Sequence, residues 1–475
     1  MSLGWLRWVW DNRSRVLPLL ICSTALLGVY DLAGHPFATL ILLLAFVTCF
    51  LFSAWTLRSS VPPVGALLAV AVVLRLSLLL LPPTLSDDVY RYIWDGRVAS
   101  QGINPYLHAP DSSRVAPLRD ELWEKVAHRD VETVYPPLAI LFFSIASLFR
   151  DPVLAWKSLL VVIDLTTCVL LLRLADLWKV PRGRAIGYLW NPLVAIEVAG
   201  MGHVDALGVL PLVAGALALS AGRDHASDAW RESSPSARAL GTLVAAFAVS
   251  LSVLAKLVPL VLLPLWAKLS GRPVVFLASA LGVLGIVGLP VLWHTGGVPA
   301  GLVTYGVSWE FNGPLYEPLW RLLEVTRADD LIKASIRLAE KLSGAEYGGR
   351  LYEWVYPRLL AKVLLGALLV GVVIVSIRRR LDLGSGSLTV LGAVILTSAT
   401  VYPWYVLWLV PFAALTGRFS WLVLSGTITL AYIPQLLGVP LFPWVYVIVW
   451  GPFWVFALVS HRSRLLAAAA LRVSD

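Results

Sequence analysis

The chain has 475 residues, of which 58% are hydrophobic and 14% charged, and its mean hydropathy is +0.78. Soluble domains average about 45–50% apolar and about 25% charged residues, so these figures exclude an ordinary soluble enzyme, a disordered protein and a disulfide-stapled secreted domain. The formal charge of +9 sits in short loops between apolar runs, which reads as a signal of membrane orientation and not of nucleic-acid binding.

Trp5, Trp8 and Trp10, with Arg7, Arg13 and Arg15, lead into the first apolar run with no small-residue cleavage site, so a retained first helix is expected. Apolar runs of helical length then cover about 17–33, 37–57, 61–82, 153–177, 185–201, 206–220, 239–268, 273–293, 357–377, 386–416, 420–438 and 442–460. The runs 239–268 and 386–416 are long and broken by Pro, and each is expected to make two short spans. The fold class is an all-α polytopic membrane protein of about twelve to fourteen helices. Cys22, Cys49 and Cys168 lie inside apolar runs and carry neither a disulfide framework nor a thiolate metal site.

The loops sort by charge. One set holds Arg7, Arg13, Arg15, Arg58, Lys179, Arg182, Arg184, Arg223, Arg231, Arg238, Lys268, Arg272, Arg378, Arg379, Arg380, Arg418, Arg462, Arg464 and Arg472 against Asp11, Asp224, Asp228, Glu232, Asp382 and Asp475, and should be cytoplasmic. Segment 84–133 has 9 acids and 6 bases, and segment 294–355 has 8 acids and 6 bases, so both should face outward. Residues 136–149 are apolar but short for a span. As a re-entrant or interfacial helix they leave every basic loop inside, and that arrangement is preferred. The layout is then N-terminal membrane helices (1–83), a first outward segment with surface helices and the short re-entrant helix (84–152), a membrane core (153–293), a second outward segment (294–356) and C-terminal membrane helices (357–475).

Asp87 and Asp88 follow directly on a membrane run. Adjacent carboxylates raise each other's proton affinity, which suits a general base toward a hydroxyl or a metal ligand. The alternative is a helix N-cap. Tyr92, Asp95, Val98 and Ala99 have the spacing of a helix lying along the surface. Asn191-Pro192-Leu193, Glu197 and Gly202-His203-Val204-Asp205 form a second polar cluster inside an apolar run, which is costly unless it lines a polar cavity or is internally bonded. A metal between Asp87 or Asp88, His203 and Asp205 stays open at this point, though none is favoured. Lys256 lies mid-run and calls for an anion such as a lipid phosphate, or for snorkelling to an interface. Asp164 and Lys157 share one helix and suggest pairing across helices. Trp309, Glu310, Asn312, Tyr316 and Glu317 interleave rings, carboxylates and an amide, a pattern that suits a sugar acceptor or an interfacial belt. Tyr135-Pro136-Pro137 opens the short apolar stretch, and Tyr402-Pro403-Trp404-Tyr405 breaks a helix pair near the same face.

These pieces, in this order over most of residues 85–412, resemble the multi-spanning glycosyltransferases of the GT-C superfamily. The nearest likeness is to the bacterial and archaeal polyprenyl-phosphate-mannose-dependent mannosyltransferases and the GPI first-mannose transferases. The resemblance implies a GT-C-like bundle and an inverting transfer of a hexose, mannose favoured, from a polyprenyl-phosphate sugar to a lipid or glycan acceptor at the outer face of the plasma membrane. It implies a catalytic aspartate, which falls on Asp87 or Asp88. Relatives often carry Asp-x-Asp where this chain has two adjacent aspartates, which leaves open which one is the base. Arg91, Tyr92, His203 and Lys256 would meet the donor phosphate, with Asp205, Asn191, Tyr135, Tyr402, Trp404 and Tyr405 in support. The donor brings its own leaving phosphate, so no nucleotide-binding domain is expected. No metal cofactor is favoured and no nucleic-acid partner is implied, while membrane lipids surround the chain. A lipid or solute transporter is the rival reading, but it would concentrate charge at mid-membrane within a repeat that the sequence does not show. A ligase that moves whole glycans is the third.

Overall fold

The computed structural model describes residues 4–26, 34–221, 235–344, 352–379 and 381–473, with side chains described as far as 462. Of the charged loop residues named above, Arg223, Asp224, Asp228, Arg231, Glu232, Arg380 and Asp475 lie outside the described residues, as do the side chains of Arg464 and Arg472. Among the described residues the regular elements are helices, and extended chain pairs only in isolated bridges of Phe311 and Asn312 with Thr400.

The N-terminal part is built of α1 (Gly4–Asp11), α2 (Arg13–Ala25), α3 (Pro36–Leu57) and α4 (Val64–Leu79). α5 (Asp88–Ser100) and α6 (Pro137–Ser147) follow, and then α7 (Pro152–Leu177). Proline at the first helical position starts α3 and α7, and Asp151 caps α7 by accepting from the Leu154 N–H at 2.9 Å. Among the described residues seven helices are long and apolar enough to cross a membrane, and five shorter apolar helices accompany them. With 11 residues, α6 is only about 16 Å long, roughly half of a hydrocarbon core.

Both long apolar runs are broken. The helix Pro235–Ala255 stops at Lys256, and a tight turn over Val258–Leu262 precedes Leu263–Leu269. The helix Leu383–Thr397 gives way to extended chain, and a tight turn over Pro403–Trp408 precedes Val410–Thr416. Pro259 and Pro403 lack the N–H that would carry a helix through. The helices Pro273–Thr295 and Pro357–Arg378 leave most of their apolar side chains uncovered by protein, as lipid-facing helices do. Trp293, Trp354 and Trp444 are exposed, whereas Trp94, Trp156, Trp190, Trp266, Trp408 and Trp450 are buried, so the tryptophans divide between surface and core.

α5 lies across α6, and Gly96 lets them meet. A methyl group there would fall 2.2 Å from the Phe143 carbonyl carbon. Segment 84–133 also has a small apolar centre of its own, made of Trp94, Val98, Val115 and Val126. In the second polar segment, Tyr316 and Trp320 are buried against Ala361 and Leu365 of Pro357–Arg378.

The membrane core holds an ion pair. Arg75 Nε of α4 lies 2.8 Å from Asp164 Oδ2 of α7, and neither side chain has any exposed surface. The Tyr188 hydroxyl donates to Asp164 Oδ1 at 2.7 Å, and Arg75 donates to the Leu189 carbonyl. Asp164 therefore does pair across helices, with a residue that its sequence neighbourhood does not indicate. Lys157 instead donates to the Leu81 carbonyl at 2.6 Å.

Two outcomes are expected. Gly96→Ala forces the α5–α6 contact apart and lowers stability by about 1–3 kcal/mol, read as a lower melting temperature in detergent. Arg75→Leu alone strands Asp164 and costs about 3–5 kcal/mol, while Arg75→Leu with Asp164→Leu is close to neutral, read as recovery of the melting temperature in the double variant.

Candidate active site

The two helix breaks, the start of α5 and the turn over Ile428–Tyr432 enclose a cavity of about 560 Å³. Asp87, Asp88 and Lys256 line it together with Tyr135, Trp309, Tyr402, Trp404 and Tyr405, so the structure gathers these sequence candidates at one place. Gln435, Glu132 and His128 add polar groups to the wall.

Asp87 occupies the N-cap position of α5 but makes no side-chain cap bond, so its exposed carboxylate is left to the cavity. Asp88 sits one residue further in. Its Oδ2 accepts from the Tyr92 hydroxyl at 3.3 Å and lies 3.9 Å from His203 Nε2, and its side chain keeps 32% of its surface open. Burial, reinforced by the charge of Asp87, pushes the Asp88 carboxyl up to about 6, against the opposing pull of Lys256 and the Tyr92 hydroxyl. That value suits a base that must be unprotonated near neutral pH and still have affinity for a proton.

Lys256 caps the break of its helix. Its Nζ lies 2.9 Å from both Asp205 carboxylate oxygens and 4.3 Å from the centre of the Tyr405 ring. Trp408 Nε1 donates to Asp205 Oδ1 at 2.5 Å. Asp205 is fully buried and Lys256 is 17% exposed, so the ammonium is the part of the pair that the cavity can reach.

His203 stands behind Asp88 and has no part in the cavity wall. Gly202 precedes it with φ +78° and turns the chain there, and a β-carbon at Gly202 would fall 3.1 Å from Lys157 Cγ. Nε2 of His203 is 3.1 Å from Ser86 Oγ, and its Nδ1 is 2.8 Å from Glu197 Oε2. The Tyr432 hydroxyl lies 3.0 Å from each Glu197 oxygen. The His203 ring stacks on Trp404 at 3.8 Å, Trp404 on Tyr402 at 4.6 Å, and Tyr402 on Phe311 at 4.6 Å. Rings stacked in this way cover one another's faces, so the pile serves as a stiff wall.

Arg91 also lines the cavity, and its guanidinium binds Asp95 at 2.9 Å and the carbonyls of His128 and Val131 at 3.0 and 2.7 Å, which holds the loop over α5. Other candidates make their bonds outside the cavity wall. Tyr92 is buried against Phe143 and Tyr135 and reaches the site only through its hydroxyl on Asp88. Asn191 caps the short helix Pro192–Ala195 and donates to Ser425 Oγ at 2.8 Å. Of the five acceptor candidates only Trp309 lines the cavity, packed on His128 at 4.6 Å. Glu310 is taken by Tyr316, Arg358 and Lys362, and Glu317 by Trp320 and Arg321. Asn312 accepts from Trp450 Nε1 at 2.9 Å. Among the described residues no three His, Cys, Asp or Glu side chains are grouped to ligate a metal, and Asp205, one of the ligands that the sequence leaves open, is held by Lys256. Tyr305, Phe311 and Tyr432 also line the site, and as isolated aromatics they carry no motif that sequence reading can find.

A family model described as alpha-(1->6)-mannopyranosyltransferase, N-terminal domain (the MptA_B family), matches residues 17–272, more than half of the chain. The chain belongs to this family. No curated protein and no solved structure matches it. It is a multi-pass membrane glycosyltransferase for which mannose is the favoured sugar. The matched stretch contains Asp87, Asp88, His203, Asp205 and Lys256, whereas the wall from Tyr305 to Gln435 lies beyond it.

Replacing Asp87 with Asn removes the nearer like charge, so the Asp88 carboxyl is expected to titrate at lower pH than in the native protein. Infrared titration of the carboxylate band, differenced against Asp88→Asn, reads the shift directly.

Proposed function

We propose that this glycosyltransferase is an inverting mannosyltransferase that takes mannose from a polyprenyl phosphate and adds it to a hydroxyl of a lipid or glycan acceptor, with Asp88 as the general base. The observation that carries the reading is the position of Asp88, whose proton affinity is raised to about 6 at the edge of a cavity with a lysine across it. The acceptor hydroxyl attacks the anomeric carbon and its proton passes to Asp88. The bond to the phosphate breaks, and the phosphomonoester leaves with the electron pair. Lys256 faces the cavity and offsets the charge that develops on the phosphate. Trp309 and His128 supply an aromatic surface on the acceptor side. An α-linked product formed with inversion requires a β-linked donor.

The placement on the outer face of the plasma membrane rests on charge. The cavity draws residues from segments 84–133 and 294–355, the two acidic segments of the chain. A donor anchored by its own lipid needs no soluble nucleotide site, and both helix breaks open the membrane core at the cavity where such a lipid would present its phosphate.

The test is transfer from synthetic polyprenyl-phosphate mannose to membrane lipid acceptors by the purified protein. Asp88→Asn is expected to lower kcat by about 10²–10⁴-fold, and Lys256→Met by about 10²–10³-fold. Because the base works unprotonated, the native rate should fall as pH drops through about 6. Full transfer by Asp88→Asn rejects this base. Transfer of whole lipid-linked glycans but not of single sugars favours a ligase, and no transfer from any donor favours a transporter.

A further inference from the structure

The second polar segment contains a helix, Ala328–Ser343, whose residues stand outside the cavity wall. They sort onto two faces at helical spacing. Leu331, Ser335, Leu338 and Leu342 fall along one line, and Asp329, Lys333, Ile336 and Glu340 fall along the opposite one. The three leucines are 68%, 58% and 79% exposed, whereas the side chains of Asp329 and Lys333 keep only 18% and 25% of their surface open. The half-buried charges are matched locally. Lys333 Nζ lies 3.1 Å from Asp329 Oδ2, the Tyr352 hydroxyl donates to Glu340 Oε2 at 2.9 Å, and the Arg337 guanidinium stands 5.8 Å from the centre of the Tyr352 ring. A surface helix in water does the reverse, with leucines inward and charges outward. The preceding helix, Tyr316–Val325, also leaves Leu322 and Val325 exposed.

Two further observations say what covers the leucines. The first is the place of the helix. It packs against Tyr316–Val325 and against Pro357–Arg378, and the latter faces lipid along most of its length. Trp293 and Trp354 stand exposed at the ends of the membrane helices that enter and leave this segment, and Trp444 stands exposed at the start of a third. The Tyr446 hydroxyl of that third helix donates to the Pro314 carbonyl, so its start lies on the same side. Exposed tryptophans at helix ends mark the level of the lipid headgroups. The second observation is charge. Asp329, Asp330 and Glu340 balance Lys333, Arg337 and Lys341, so the helix has no net attraction for an anionic headgroup or for a charged partner protein.

We propose that the helix Ala328–Ser343 lies in the membrane surface on the side of the cavity, with Leu331, Leu338 and Leu342 inserted where headgroups meet acyl chains. The partner is the bilayer itself, held by apolar insertion and not by headgroup charge. The helix packs on Tyr316–Val325, whose Tyr316 hydroxyl donates to Glu310, between the cavity residues Trp309 and Phe311. The anchor therefore ties one wall of the cavity to a fixed depth in the bilayer.

The test uses the full-length protein with the photo-crosslinking residue p-benzoylphenylalanine in place of Leu331, Leu338, Leu342 or, as a control, Arg337. Each form is reconstituted into phosphatidylcholine vesicles with or without phosphatidylglycerol. After illumination, the intact mass is expected to show lipid adducts severalfold more often at the leucines than at Arg337, in equal yield with and without the anionic lipid. Adducts to a second copy of the chain, or leucine yields no higher than that of Arg337, overturn the inference. A yield that rises with phosphatidylglycerol overturns its independence of charge. Proteolysis in nanodiscs holding one copy gives a second reading, because trypsin can cut after Lys333, Arg337 and Lys341. The native helix should resist, and the combined variant Leu331→Gln, Leu338→Gln, Leu342→Gln should be cut there severalfold faster at an unchanged melting temperature in detergent. Equal cleavage of the two overturns the seat in the membrane. A combined variant that melts lower is replaced by Leu342→Gln alone, which must meet the same expectation.

Discussion

A backbone in lipid has no water to hydrogen-bond, so a helix can break inside a membrane protein only where the freed groups meet protein or a cavity. This chain concentrates its breaks. The stop at Lys256, the turn at Pro403, the wide turn at Ile196–Gly200 and the tight turn at Ile428–Tyr432 all border one region. Each break exposes a side chain or a bend that an unbroken helix could not present. The cavity, the lysine at its wall and the buried acid behind it follow from that constraint.

Charge obeys the same rule. Three cations near the centre are matched: Arg75 by Asp164, Lys256 by Asp205, and Arg91 by Asp95 and two carbonyls. The first pair joins α4 to α7 outside the cavity wall and serves the bundle. The second joins a helix break to the start of another helix, so the fold places a cation at the cavity without leaving it unpaired. Asp88 is different. Its surroundings hold a second carboxylate, a tyrosine and a histidine, and the nearest cation is already engaged. An acid that its neighbours do not fully stabilise is one that can accept a proton.

The family match and the site geometry meet on the same residues. The matched stretch supplies α5, His203, Asp205 and Lys256, and the unmatched remainder supplies the aromatic wall from Phe311 to Trp404 and the Tyr432 hydroxyl. The aspartates of α5, His203 and Lys256 therefore sit on the part shared with the family, and most of the aromatic wall of the cavity comes from the other part.

The sequence alone determined the class of molecule. Hydropathy and the sorting of loop charge specify a helical membrane protein, and proline inside two long apolar runs specifies where the helices stop. Asp87-Asp88, Gly202-His203-Val204-Asp205 and Tyr402-Pro403-Trp404-Tyr405 are legible because polar residues and Pro at such positions are expensive without a purpose. Tertiary structure decided which polar residues meet. Glu310, Asn312, Tyr316 and Glu317 read as a sugar surface in sequence, but Glu310 is bonded to Arg358, Asn312 to Trp450 and Glu317 to Arg321, and the Tyr316 hydroxyl donates to Glu310. Glu197 meets Tyr432 across 235 residues, and Arg75 meets Asp164 across 89. Local periodicity reports the face of a helix on which a side chain lies. It carries no information about which distant helix packs there, and only that packing separates a residue that reaches the cavity from one that holds the wall.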